Sequence, residues 1–125
     1  MGTRSTVKFF SEFQPDEVLC CVYQQIDGYL SGVGHDLANF LKDKQVINGF
    51  NEQTMAQGFA IGMGCLAAQY IKSIKTELGG VYMSHAEDSQ EYDYEVRLVD
   101  GQLIITVRDF KGTPQELLDY KEPEE

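Results

Sequence analysis

The residues from Tyr92 to Arg108 constrain the fold most. Tyr92, Tyr94, Val96 and Leu98 alternate with Asp93, Glu95 and Arg97, then comes Asp100-Gly101, and then Leu103, Ile105 and Val107 alternate with Thr106 and Arg108. A period of two on either side of Asp-Gly reads as a β-hairpin closed by a type I′ turn. With Asp100-Gly101 at its centre, Leu98 opposes Leu103, Val96 opposes Ile105 and Tyr94 opposes Val107, while Asp93 lies across from Arg108 on the other face. One face of this hairpin is apolar and needs cover.

Two strands are expected earlier in the chain. Thr3 to Phe10 alternates weakly, Ser11 to Asp16 with Pro15 is a turn, and Glu17 to Ile26 reads as the hairpin partner of the first strand. Val18, Cys20 and Val22 alternate there with Leu19, Cys21 and Tyr23, so both faces are apolar, which predicts a strand covered twice. From Val33 the period changes: Val33, Leu37, Phe40 and Leu41 recur at helical spacing. Lys44 to Asn51 is mixed, with Asn48-Gly49 as a turn. Gln53 onward is expected to be helical, firmly from Cys65 to Thr76, with Ala67, Ile71, Ile74 and Leu78 as its buried stripe and Gly79-Gly80 as its C-cap. Val81 to Ser84 is a short strand and His85 to Gln90 a polar loop. Thr113-Pro114-Gln115-Glu116 carries an N-cap, a proline at the first helical position and a capping-box glutamate.

Strands before and after a helical block predict an α+β fold: a mainly antiparallel sheet in the order ββ-αα-βββ-α with helices packed on one face. The expected organisation is a single α+β domain over residues 1–112, then a short C-terminal helix and acidic tail over 113–125. The length of 125 residues suffices for one core without staples.

Charge narrows the function. Ten Lys and Arg stand against twenty Asp and Glu, a net charge of −10 that repels a polyphosphate backbone, so no polymeric nucleic acid is expected as a partner. A small anionic ligand needs only one or two cations placed locally. No apolar run reaches the roughly 18 residues of a membrane span, and the first residues do not resemble a secretory signal, so no membrane partner and a cytoplasmic location are expected. Cys20, Cys21 and Cys65 form neither a disulfide framework nor a zinc spacing with His35 and His85. The acidic run from Glu87 to Glu95 lacks the spacing of a calcium loop. No metal site, cofactor or catalytic residue is assigned.

The candidate site is the segment from Tyr23 to His35, which leaves a strand, passes Gly28, Gly32 and Gly34, and enters a helix. Such a turn can present N–H groups to an anion. It lacks the third glycine of a dinucleotide fingerprint and the Gly-Lys-Ser/Thr of a Walker loop, and its glycines equally suit tight packing or positive φ. Tyr23 and Tyr29 could stack on a flat ring, Gln24 or Gln25 could read its polar edge, and Asp27 could accept from an amine or hydroxyl. Arg4, on the adjoining strand, is the cation of most interest. The expected ligand site is therefore Arg4, Tyr23, Gln25, Asp27, Tyr29, Gly32 and Gly34, with His35 at its edge. A thiol at a helix start can be nucleophilic, so an enzyme using Cys65 with His35 or His85 is the catalytic alternative, against a buried structural cysteine.

The N-terminal Gly2-Thr3-Arg4-Ser5, Tyr23-Gln24-Gln25-Ile26-Asp27-Gly28-Tyr29 with Gly32 and Gly34, the block from Gly62 to Gln69, Gly79-Gly80-Val81-Tyr82, and Glu91-Tyr92-Asp93-Tyr94-Glu95-Val96 resemble a family of small uncharacterised bacterial and bacteriophage proteins. The resemblance spans residues 2 to 98 and implies a bacterial or phage setting without a mechanism. Phages also encode non-enzymatic sponge proteins that sequester nucleotide immune signals. Setting and residue chemistry together lead to the expectation of a non-catalytic protein that binds a small polar, nucleotide-like ligand. The alternative is an acidic protein-interaction module or phage inhibitor of a host protein. A homodimer is expected either through an open edge at the hairpin's last strand or through the small-residue helix.

Overall fold

A computed structural model of the protein describes residues 2–47 and 59–121. The fold is α+β. Strands β1 (Ser5–Phe10), β2 (Val18–Gln24), β5 (Val81–Ser84), β6 (Tyr92–Val99), β7 (Gln102–Val107) and β8 (Phe110–Gly112) form a six-stranded sheet in the order β5-β2-β1-β6-β7-β8. Every pairing is antiparallel except β1 with β6, which run parallel at the centre. Helices α1 (His35–Leu41), α2 (Gly62–Ile74) and α3 (Pro114–Asp119) cover one face. The short strands β3 (Gln45–Ile47) and β4 (Phe59–Ile61) pair parallel as a separate ribbon.

The core follows from the strand period. Val7 and Phe9 of β1, Tyr94 and Val96 of β6, and Leu103, Ile105 and Val107 of β7 share the helix-covered face, where they meet Leu37 and Leu41 of α1, Met63, Leu66 and Tyr70 of α2, and Leu117 of α3. Phe9 and Phe40 both pack on the Tyr70 ring, with centroids 5.6 and 5.4 Å away. Leu117 is buried in this same core, so α3 is tied to the domain rather than trailing from it. Its start has the capping box read from the sequence: the Thr113 hydroxyl accepts from Glu116 N–H, and the Glu116 carboxylate accepts from Thr113 N–H at 2.8 Å.

The hairpin register stands for Val96 with Ile105 and Leu98 with Leu103, and Asp100 and Gly101 both have positive φ, 50° and 82°, as a type I′ turn requires. The paired residues stop at Glu95 with Thr106. Arg108, itself at φ 49°, lays its guanidinium 3.7 Å over the Tyr92 ring and donates to the Glu91 carbonyl, while the Asp93 carboxylate accepts from Thr6, Ser89 and Gln90.

Several expectations are corrected. Phe59–Ile61 is strand rather than helix, because it pairs with Gln45–Ile47; Asn48-Gly49 and residues 53–58 lie outside the described residues. Helix α2 starts at Gly62 and ends at Ile74, so Leu78 lies beyond it, fully exposed, and the buried stripe is Met63, Leu66, Ala67 and Tyr70. Gly79 and Gly80, at φ 83° and 79°, turn the chain into β5 instead of capping the helix. The second face of β2 is covered only in part: Cys21 is buried there, whereas Leu19 is exposed and Tyr23 half-buried. The hairpin's last strand is not an open edge either, since β8 pairs along β7.

Candidate functional site

The glycine turn closes on itself. Asp27 takes φ 58° and ends the extended run of β2. Its carbonyl accepts from Val33 N–H at 2.8 Å, and the Tyr29 carbonyl accepts from Gly32 N–H at 2.9 Å and Gly34 N–H at 3.4 Å. Gly28 N–H donates to the Thr3 carbonyl at 2.9 Å, and the Gly28 carbonyl accepts from the buried Tyr94 hydroxyl at 2.6 Å. The resulting π-helical turn, Leu30–Gly34, runs straight into α1. The amides of Gly32, Val33 and Gly34 are thus spent on the turn's own carbonyls.

Size explains the glycines. A Cβ on Gly32 would lie 2.1 Å from the Asp27 carbonyl oxygen, and one on Gly34 would lie 3.0 Å from the Tyr94 hydroxyl. Here the chain needs room more than it needs donors. Beside the turn, the Tyr29 hydroxyl donates to the Asp27 carboxylate at 3.0 Å, and that bond, with the nearby negative charge, pushes the Tyr29 phenol above its ordinary pKa.

A cleft of about 550 Å³ opens at the starts of the two central parallel strands, lined by Gly2, Arg4, Gln25, Ile26, Gln90 and Glu91. The register builds it. Ser5 pairs with Tyr92, and Tyr92 N–H donates to the Arg4 carbonyl at 3.3 Å, so Arg4 and Glu91 come abreast just before β1 and β6. On the other side Gln25 follows β2, its N–H held by the Gly80 carbonyl at 3.0 Å. The Arg4 side chain is exposed, and no hydrogen bond or ion pair engages its guanidinium among the described residues.

The loop that brings Gln90 and Glu91 into this cleft is tied down by two carboxylates. Asp93 accepts from the Thr6 hydroxyl, the Ser89 hydroxyl at 2.8 Å and Gln90 N–H at 3.0 Å. Asp88 accepts from the Ser84 hydroxyl at 2.6 Å and the Gln90 side-chain amide at 2.7 Å. Burial alone would raise the Asp93 pKa, but these three donors, helped by Lys8, outweigh it and hold the carboxyl below its usual range. Asp88 is lowered too, first by the Ser84 hydroxyl.

The N-terminus of α2, the one long helix described, is already occupied. Glu12, carried by the β1–β2 loop, accepts from Met63 N–H at 3.0 Å, and the Ser11 hydroxyl shapes that loop by accepting from Phe13 N–H and Gln14 N–H. Cys65, in the same first turn, is half-buried and receives a 3.6 Å contact from the Gln69 amide, while His85 pairs with Glu87 at 3.4 Å. Burial pushes the Cys21 thiol up to about 11, against the pull of Lys8, and raises Cys20 as well. Thiols so shifted are poor nucleophiles at neutral pH.

Of the residues expected to share a site, Arg4 and Gln25 meet in the cleft. Asp27 and Tyr29 bond to each other, Gly32 and Gly34 pack the turn, and His35 opens α1. Tyr23 lies on the sheet face away from the helices, its ring 6.1 Å from that of Tyr82. Gly2, Ile26, Gln90 and Glu91 were missed as site residues. For Gln90 and Glu91 the only sequence signal was the run of donors and acceptors from Ser84 to Asp93, which reads equally well as a solvated loop, and Gly2 and Ile26 carried none of this kind. Among the described residues no cluster of His, Cys, Asp and Glu could hold a metal ion, and no helix is long and apolar enough to cross a membrane.

The fold and cleft define a single α+β unit with an open polar cleft at one end of its sheet. The chain matches no family model, no curated protein and no solved structure.

Proposed function

We propose that this protein binds a small polar ligand in the Arg4 cleft without transforming it. The observation that carries the reading is the Arg4 guanidinium, which lines a cleft of about 550 Å³ and has no partner among the described residues although Glu91 lines the same cleft. That volume falls in the usual range of small-molecule sites, about 300–1,000 Å³. Arg4 suits an anionic group, Gln25 and Glu91 suit amino or hydroxyl groups, and Ile26 offers an apolar wall. A nucleotide carries all three. In its most specific form the proposal is sequestration of a cyclic or otherwise modified nucleotide signal in a bacterial or phage-infected cell, supported by the resemblance and by this ligand chemistry.

The test is a thermal-shift screen of the wild-type chain and Arg4→Ala against cyclic di- and trinucleotides, ADP-ribose derivatives and common nucleotides. A ligand at about 100 times its Kd adds about 2.7 kcal/mol to the native state, which raises Tm by several degrees. The expected result is a shift in the wild type that Arg4→Ala abolishes while leaving the ligand-free Tm unchanged. No shift with any of these at concentrations well above micromolar overturns the reading. The net charge of −10 favours a second reading, an acidic surface that engages a basic protein. Its signature is salt-sensitive protein binding with indifference to nucleotides.

A further inference from the structure

The two edges of the sheet differ. β8 is three residues long, carries Lys111 and has α3 packed against it. β5 has four residues, Val81-Tyr82-Met83-Ser84, with no charge, no proline and an unbroken register on β2, and it shows Tyr82 at 46% and Met83 at 60% exposure. These features leave the edge open at Met83, while at Val81 the Lys75 ammonium lies on the outward carbonyl and 5.6 Å from the Tyr82 ring centroid, from where pairing has to shift it. Gln25 N–H donates to the Gly80 carbonyl, so by antiparallel alternation the backbone groups of Gly80 and Tyr82 face β2 and those of Val81 and Met83 face outward.

We propose that β5 pairs antiparallel with β5 of a second copy of this chain about a two-fold axis through Tyr82, joining the two sheets into one. A two-fold axis between antiparallel strands keeps each sheet face on its own side, so Tyr82 meets its symmetry mate and Val81 exchanges hydrogen bonds with Met83 of the second copy. The Tyr23–Tyr82 pair then becomes a continuous row of tyrosines across the interface.

Charge selects a second copy over any other strand. Lys75 lies at one end of β5, its ammonium 3.1 Å from the Gly79 carbonyl and 3.0 Å from that of Val81. Glu87 and Asp88 lie beyond the other end, in the turn after Ser84. Antiparallel self-pairing brings the Lys75 end of each copy to the acidic end of the other, twice by symmetry. The Val81 carbonyl keeps a lone pair for the incoming N–H. No residue of β5 lines the Arg4 cleft, so this pairing stands independently of any ligand there.

The test is sedimentation velocity of the full chain over about a hundredfold dilution, with far-UV circular dichroism on each variant. A strand this short predicts a concentration-dependent dimer in the micromolar range rather than an obligate one. Met83→Pro removes an outward N–H without touching the β2 pairing and is expected to leave a folded monomer. Lys75→Glu weakens the dimer about tenfold or more, and adding Glu87→Lys restores it. A wild-type chain that stays monomeric throughout, a Met83→Pro chain that dimerises like the wild type, or a charge swap without restoration overturns the proposal.

Discussion

The hydroxyl of Tyr94, from inside the core, donates to the carbonyl of Gly28 at 2.6 Å and so fastens the glycine turn to the central strand of the sheet. Both partners are buried. Tyr94→Phe keeps the ring and leaves the Gly28 carbonyl without this donor, which is expected to cost about 1–3 kcal/mol. Urea unfolding followed by circular dichroism measures it. A loss below a few tenths of a kcal/mol means that water or another donor takes the place of the hydroxyl.

Two glycines give opposite expectations. Gly32→Ala drives a Cβ toward the Asp27 carbonyl oxygen, 2.1 Å away, and the backbone cannot yield without losing the Val33 N–H bond to that same oxygen. It is expected to destabilise by about 1–3 kcal/mol. Gly64→Ala, in the first turns of α2, meets nothing within 4 Å and relieves a glycine of its helical entropy cost, so it stabilises by up to about 1 kcal/mol. Differential scanning calorimetry on the pair reads the sign directly.

Asp93 makes stability depend on acid. Its folded pKa lies below the unfolded value of about 3.9, so its contribution is fully present above that value and is lost as pH falls through the folded pKa. Asp88 acts in the same direction. Asp93→Asn should lower the urea midpoint at neutral pH and flatten its further fall below about pH 4. Parallel acid profiles for wild type and Asp93→Asn would exclude this role.

Glu12 acts across the chain as the cap of α2. Glu12→Ala removes both the acceptor for Met63 N–H and the negative charge at the positive end of the helix dipole, an expected loss of about 1 kcal/mol, whereas Glu12→Gln keeps an acceptor and loses less. Hydrogen exchange at Met63 reports the local effect: protection falls in Glu12→Ala ahead of the rest of α2.

Pattern carried the local structure because its causes are local. Alternation around Asp100-Gly101 is enough to set the Val96–Ile105 and Leu98–Leu103 pairs, since the turn is two residues long and its positive φ values are built into Asp-Gly. Thr113-Pro114-Gln115-Glu116 likewise encodes its own cap within four residues. Where apolar runs are short the period misleads. Phe59-Ala60-Ile61 has no helical or strand signature of its own and becomes strand through Gln45–Ile47. Leu78 reads as the next rung of a helical stripe, yet the helix has ended at Ile74.

The sequence by itself determined an α+β chain with helices on one face of its sheet, because side-chain period and turn chemistry act between neighbours. It also pointed to Arg4 and Gln25. Only the tertiary structure decided that these two share a cleft with Gln90 and Glu91, because that depends on the parallel pairing of β1 with β6. The partners Ser5 and Tyr92 stand far apart in the chain, and no local pattern encodes a pairing between strands that no hairpin joins. Burial of Val7, Phe9, Tyr94 and Val96 under α1 and α2 makes that choice, and it places Tyr94 beneath Gly28. The glycines from Gly28 to Gly34, legible as a turn, thus owe their packing to a tyrosine hydroxyl and to the turn's own carbonyls.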